Sequence, residues 1–205
     1  MKRTALIAGL AALVLIWAGP LLSVWRESFA AHMLAHMGVV AIASPLIAIG
    51  MSDRIAAVRP SSVIIASLVE LIVVWGWHMP DARLWVTTSG FATILEQAMF
   101  PEAGLFLWVT ALAAADGSAA RSASGAFALL LTSIHMTLLG ALLALASRPL
   151  YGVGEVTCFG LVLDVGQDQA LGGVVMLMVG AAAYLAGGLF LLSRLLSGGQ
   201  ERRAG

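Results

Sequence analysis

Charge is what this sequence has least of. Only 11% of its 205 residues are Asp, Glu, Lys or Arg, while 60% are apolar; an ordinary soluble domain is about a quarter charged. A soluble fold of this length could not cover its surface with so few charges. The two signs balance, 11 against 11, so no basic excess points to nucleic acid. There is a single cysteine, Cys158, which excludes an intramolecular disulfide framework and a thiolate metal cluster built within one chain. No Gly-rich phosphate loop, no nucleophile-and-base motif and no internal repeat is present, so the reading is not an enzyme. No stretch is long or polar enough to form a second unit. Residues 1–205 therefore read as one integral membrane domain, an all-α polytopic helix bundle.

What is present is a series of long apolar runs. A helix needs roughly 17–25 mostly apolar residues to cross a bilayer. Six segments qualify, at about 4–22, 29–50, 62–80, 91–114, 124–147 and 168–195. Polar or Pro-containing breaks separate them: Trp25-Arg26-Glu27, Ser52 to Pro60, Pro80 to Arg83, Asp116 to Ser124, and the stretch from Arg148-Pro149 to about Gln167. Six spans put both termini and the second and fourth loops on one side. That side carries Lys2, Arg3, Arg54, Arg59, Arg121, Arg194, Arg202 and Arg203, whereas the other carries Arg26, Arg83 and Arg148. The bias predicts cytoplasmic termini and an external 148–167 loop. Lys2-Arg3 with an apolar run also describes a signal peptide, but nearly 20 apolar residues is long for one, and the segment is expected to be a retained helix.

Ionisable groups inside hydrocarbon are costly and are functional candidates by default. His32 and His36 begin the second helix, His78 closes the third, Glu96 lies in the first turns of the fourth, and Asp168-Gln169 opens the sixth. At 1.5 Å per residue all of these fall near the outer face, while Glu70, Glu102 and His135 lie deeper. His32 and His36, four apart, share a helix face. That geometry serves interhelical hydrogen bonding and metal ligation equally. Each of the four histidines is followed by methionine (Met33, Met37, Met79 and Met136), although the chain holds only nine. Thioethers select soft Cu(I), so the pairing favours a tentative Cu(I) site at His32, His36, His78 and Glu96 with Met33, Met37 and Met79.

Rival readings remain. One is a haem-b electron carrier, since membrane histidines can be axial ligands, although His32 and His36 on one face cannot clamp a single haem. Another is a metal-free membrane scaffold. A zinc hydrolase lacks its glutamate, because Met33 follows His32. Glu70 is expected to be hydrogen-bonded inside the bundle, and His135 is one possible partner. The tryptophans Trp25, Trp75, Trp77 and Trp85 read as interfacial anchors.

Several short pieces resemble the CtaG-type membrane assembly factors of caa-type cytochrome c oxidase. They are Phe29-Ala-Ala-His32-Met33-Leu-Ala-His36-Met37 with Ser44-Pro45-Leu46, then Trp77-His78-Met79-Pro80. Leu95-Glu96 running into Gly104 to Trp108, Pro149-Leu150-Tyr151, and Asp168-Gln169-Ala-Leu-Gly172-Gly173 follow in order. Family members typically have seven helices, and this chain resembles a shortened version with six. The family often sets histidines around the fourth-helix glutamate, whereas Thr93 and Gln97 stand there in this chain. The resemblance implies a non-catalytic role in maturing the oxidase, with oxidase subunits as partners, membrane lipid around it, and a soluble protein as one source of copper.

Overall fold

The computed structural model describes residues 1–19, 21–52, 59–115 and 118–204, without the side chains of Ala115 and of residues 198–204. The Asp53-Arg54 and Asp116-Gly117 breaks, and the side chains of Arg202 and Arg203, lie outside the described residues. Seven helices and one hairpin are formed among them. Helix α1 is Lys2–Ala18, and α2 runs Phe29–Met51 through a π-helical stretch at Gly38–Ala43. Then come α3 (Pro60–Trp77), the short α4 (Pro80–Thr88), α5 (Gly90–Ala115) and α6 (Ala119–Ala144). Strands β1 (Glu155–Cys158) and β2 (Leu161–Asp164) pair antiparallel. The last helix, α7, joins Val165–Val175, a π stretch Met176–Ala181, and Ala182–Ala204.

Four of these, α2, α3, α6 and α7, are long and apolar enough to cross a membrane. Helix α1, at 17 residues, and α5, diluted by Glu96 and Glu102, complete the bundle of about six long helices that the apolar runs predict. Ile65, Leu68 and Ile72 on α3, and Ile134, Leu138 and Leu142 on α6, point outward and exposed, as a lipid-facing surface requires. Helices α1 and α2 pack antiparallel through small residues, which let backbones approach closely in lipid. A Cβ on Gly50 would fall 2.5 Å from the Leu6 Cβ, and one on Gly9 would fall 2.9 Å from the Ile47 backbone nitrogen.

Proline explains two departures from the expected boundaries. The third run was expected to continue to residue 80, but α3 ends at Trp77. A residue before proline is driven out of the helical region, and Met79 is extended, at φ −67° and ψ 140°. Pro80 then opens α4, a nine-residue helix that sequence reading took for a loop. Within α2, Pro45 has no N–H and crowds the carbonyl four residues back. The helix adapts by widening: Ser44 donates its backbone N–H to Val39 rather than to Val40. With Pro45 as the next residue, the Val40 carbonyl lacks a helical donor. The Trp108 indole on α5 (2.9 Å) and the Tyr184 hydroxyl on α7 (3.2 Å) donate to it instead, as a carbonyl in hydrocarbon requires.

The 148–167 stretch, expected to be irregular, folds into the β1–β2 hairpin. Its two-residue turn is Phe159-Gly160, with φ values of 50° and 82°. Positive φ at both turn residues matches the right-handed twist of the strands, and the phenylalanine is held there by packing against Trp25, 4.6 Å between centroids. The hairpin buries Cys158 against Ala30 and Ala31, at the start of α2.

That start is fixed by one carboxylate. Asp168 on α7 accepts from Ser28 Oγ (2.7 Å), the Phe29 N–H (2.5 Å) and the Ala30 N–H (3.2 Å). It therefore caps another helix across the bundle. Deeper in, Ser67 on α3 meets Thr132 on α6 at 3.0 Å. Glu70, expected to be hydrogen-bonded, contacts the Tyr184 hydroxyl through Oε1. His135 is not its partner: both imidazole nitrogens of His135 lack a hydrogen bond. The tyrosine on α7 takes the position that sequence reasoning left open to the histidine.

Candidate metal centre

His32, His36, His78, Arg83 and Glu96 come together at one end of the bundle. The local reasons are simple. A helix with a rise of 1.5 Å per residue stacks His32 over His36 on one face of α2. The Asp168 cap sets where that helix begins. The short α4, started by Pro80, turns back over the bundle end and lowers Arg83 onto the same point.

The Nε2 atoms of His32 and His36 lie 2.6 Å apart, with rings edge to face. Glu96 Oε1 stands 3.2 Å from His32 Nε2 and 3.6 Å from His36 Nε2. One ligand atom from each of the three residues lies within 4.8 Å of the others, and all three residues are buried. Phe100, one turn along α5 from Glu96, stacks on the His36 ring at 3.7 Å and fixes its plane. Arg83 places NH1 2.7 Å from His32 Nε2 and 3.5 Å from Glu96 Oε1.

A guanidinium can only donate. His32 therefore presents the lone pair of Nε2 to Arg83 and carries its proton on Nδ1. That single lone pair cannot also serve the His36 imidazole, whose Nε2 stands 2.6 Å away. An ion with bonds of about 2.0–2.1 Å in tetrahedral geometry wants ligand atoms about 3.3 Å apart. The contacts with Glu96 meet that spacing, and the imidazoles need part by less than about 1 Å to admit an ion of this kind. Two imidazoles and a carboxylate suit copper or zinc.

The remaining candidates divide. His78 Nε2 faces Met33 Sδ at 3.0 Å, its Nδ1 donates to the Val74 carbonyl at 2.5 Å, and its ring approaches Phe100 at 6.3 Å. It forms a second imidazole–thioether pair beside the first cluster. Met37 is fully buried but turns away, its Sδ lying against the α-carbon side of Gly180 on α7. Met79 is 58% exposed at the end of α3. The structure thus does not bring Met37 or Met79 to the histidine cluster, because the residue after each histidine is rotated about 100° around the helix or lies past its end.

Three contributors escaped the sequence reading. Arg83 had been placed in an external loop; the signal was the Pro-started amphipathic segment directly after His78-Met79. Phe100 looked like ordinary apolar filler. Tyr151, from the hairpin connection, donates to the His78 carbonyl at 2.6 Å and stacks on Phe29 at 4.6 Å. Burial pushes its phenol up to about 12, against the opposing pull of Arg83, so it stays a neutral donor.

A cavity of about 510 Å³ opens onto this centre, lined among others by Arg26, Glu27, His32, Arg83, Thr93 and Gln97. The family model described as the cytochrome c oxidase caa3 assembly factor (Caa3_CtaG) matches residues 1–197. The chain belongs to that family. No curated protein and no solved structure matches it. The caa3 assembly factor family is a family of oxidase-maturing membrane proteins, so the chain acts in the assembly of cytochrome c oxidase in a bacterial membrane. In this chain Arg83 and the α2 histidines converge on the Glu96 carboxylate.

Proposed function

We propose that this assembly factor binds Cu(I) through His32, His36 and Glu96 and passes it to an oxidase subunit at the outer face of the membrane. The observation that carries the reading is the convergence of three ligand atoms within 4.8 Å beside a cavity that contains one of them. Sequence spacing alone could place two of the three on one face; only the fold brings Glu96 to them. Three donors leave a coordination position open toward the cavity, through which a recipient ligand can approach. The adjacent His78–Met33 pair supplies a thioether within reach of the same corner, and soft donors favour Cu(I). The outward orientation rests on the Lys and Arg distribution, which puts both termini in the cytoplasm. A soluble copper donor then loads the protein from outside.

The test is copper analysis and optical spectroscopy of the purified protein, followed by His32→Ala/His36→Ala in the membrane. The double variant should insert, melt below wild type because both imidazoles are buried, lose stoichiometric Cu(I), and leave the oxidase copper-deficient. Full oxidase activity with the inserted double variant would reject copper transfer and leave a metal-free scaffold. A Soret band in the purified protein would favour the haem reading instead. Reporter fusions that place Tyr151–Gln167 in the cytoplasm would reverse the orientation.

A further inference from the structure

We propose that Arg83 is a displaceable resident cation: it occupies the ion's place between His32 and Glu96, and Cu(I) enters by exchanging with it one for one. This rests on the copper reading of the same centre. The Nε2 lone pair that a metal would take from His32 is already engaged by Arg83 NH1 at 2.7 Å, and the carboxylate oxygen that a metal would take from Glu96 lies 3.5 Å from the same nitrogen. The ion and the guanidinium therefore compete for the same two atoms.

The exchange conserves charge. Glu96 with Arg83 is neutral, and Glu96 with Cu(I) is neutral. A divalent ion in the same position adds an uncompensated charge to a buried site, where charge is costly. The selection for a monovalent ion thus comes from the cation it replaces, beyond any preference of the ligands. Arg83 also has somewhere to go. It lines both the 510 Å³ cavity and a second one of about 440 Å³, and the exposed carboxylate of Glu27 lines both. Glu27 is the alternative partner that receives the guanidinium once the ion is seated. The reverse step, Arg83 returning to Glu96, expels the ion toward a recipient without any proton having to be supplied.

The test is Cu(I) affinity of the full-length protein in detergent, measured by competition with a chromophoric Cu(I) chelator. Arg83→Gln should bind at least tenfold tighter than wild type, and Glu27→Gln several-fold weaker, because one removes the competitor and the other its refuge. Where Arg83→Gln fails to fold, Glu27→Gln and the labelling of wild-type Arg83 carry the test. Labelling wild-type Arg83 with phenylglyoxal, read by peptide mass spectrometry, should increase when Cu(I) is added. Tighter binding by Arg83→Gln with increased labelling supports the exchange. Equal or weaker binding by a folded Arg83→Gln, or labelling unchanged by Cu(I), overturns it while leaving the copper site standing. If neither wild type nor Arg83→Gln takes up Cu(I), the copper reading fails and the exchange with it.

Discussion

Asp168→Ala should both loosen the fold and unseat the metal centre, although Asp168 touches no metal-ligand candidate. Its carboxylate accepts three hydrogen bonds at the start of α2, from Ser28 Oγ, the Phe29 N–H and the Ala30 N–H. Phe29 and Ala30 are 4% and 1% exposed, so water cannot readily replace the lost acceptor. An orphaned buried donor costs about 1–3 kcal/mol. Two of them, with the lost anion at a helix N-terminus worth up to ~1 kcal/mol, give a destabilisation of about 2–7 kcal/mol, centred on ~4 kcal/mol. For a chain of this size 1 kcal/mol is worth about 2–4 °C in Tm, so the expected loss is roughly 10 °C. Asp168→Asn keeps an acceptor oxygen and should lose less than half as much. Because His32 lies only one turn beyond the capped residues, the alanine variant should also bind Cu(I) more weakly than the asparagine variant. The assay is thermal unfolding in a mild detergent, followed by the chelator competition. A Tm for Asp168→Ala within 2 °C of wild type would refute the argument that this carboxylate anchors α2 to α7.

Two further substitutions probe the deep interior. His135→Leu replaces a buried imidazole with no hydrogen-bond partner by an apolar side chain, and should leave stability unchanged or raise it by about 1–2 kcal/mol; a marked fall in Tm would mean that His135 has a partner after all. Tyr184→Phe removes the hydroxyl that meets Glu70 Oε1 and the Val40 carbonyl; because Glu70 Oε2 already lacks a partner, it should cost about 1–3 kcal/mol, measured as the Tm difference, and pairing it with Glu70→Leu should recover part of the loss.

The fold was legible in the sequence to the extent that hydrocarbon imposes it. Apolar length placed the long helices, and His32 and His36 could be put on one face because helical spacing is local information. The partner of that face was half legible: Glu96 was chosen because carboxylates are rare at membrane depth. Arg83 was missed because its location depends on a nine-residue helix folding back, a tertiary event that the sequence signals only through Pro80. The hairpin was missed for a similar reason, since Phe159-Gly160 is a poor turn sequence by itself and is stabilised by Trp25 from a distant loop. Glu70 is hydrogen-bonded as expected, but to Tyr184 rather than to His135, because depth along a helix axis leaves the azimuth unspecified. The histidine–methionine pattern was real as a statistic, and one of its methionines, Met33, sets its thioether against an imidazole, that of His78.

The widened turn of α2 at Gly38–Ala43 sets a clock between its two halves. The C-terminal half is locked to α1 through Gly50 and Ile47, and the N-terminal half carries His32 and His36. One residue of an α-helix corresponds to about 100° of rotation, so removing a single residue from this stretch would swing the histidines a quarter-turn or more away from Glu96 while every apolar contact of the C-terminal half kept its place. The angle at which this chain holds its imidazoles is therefore counted out in the main chain, with Pro45 keeping the count.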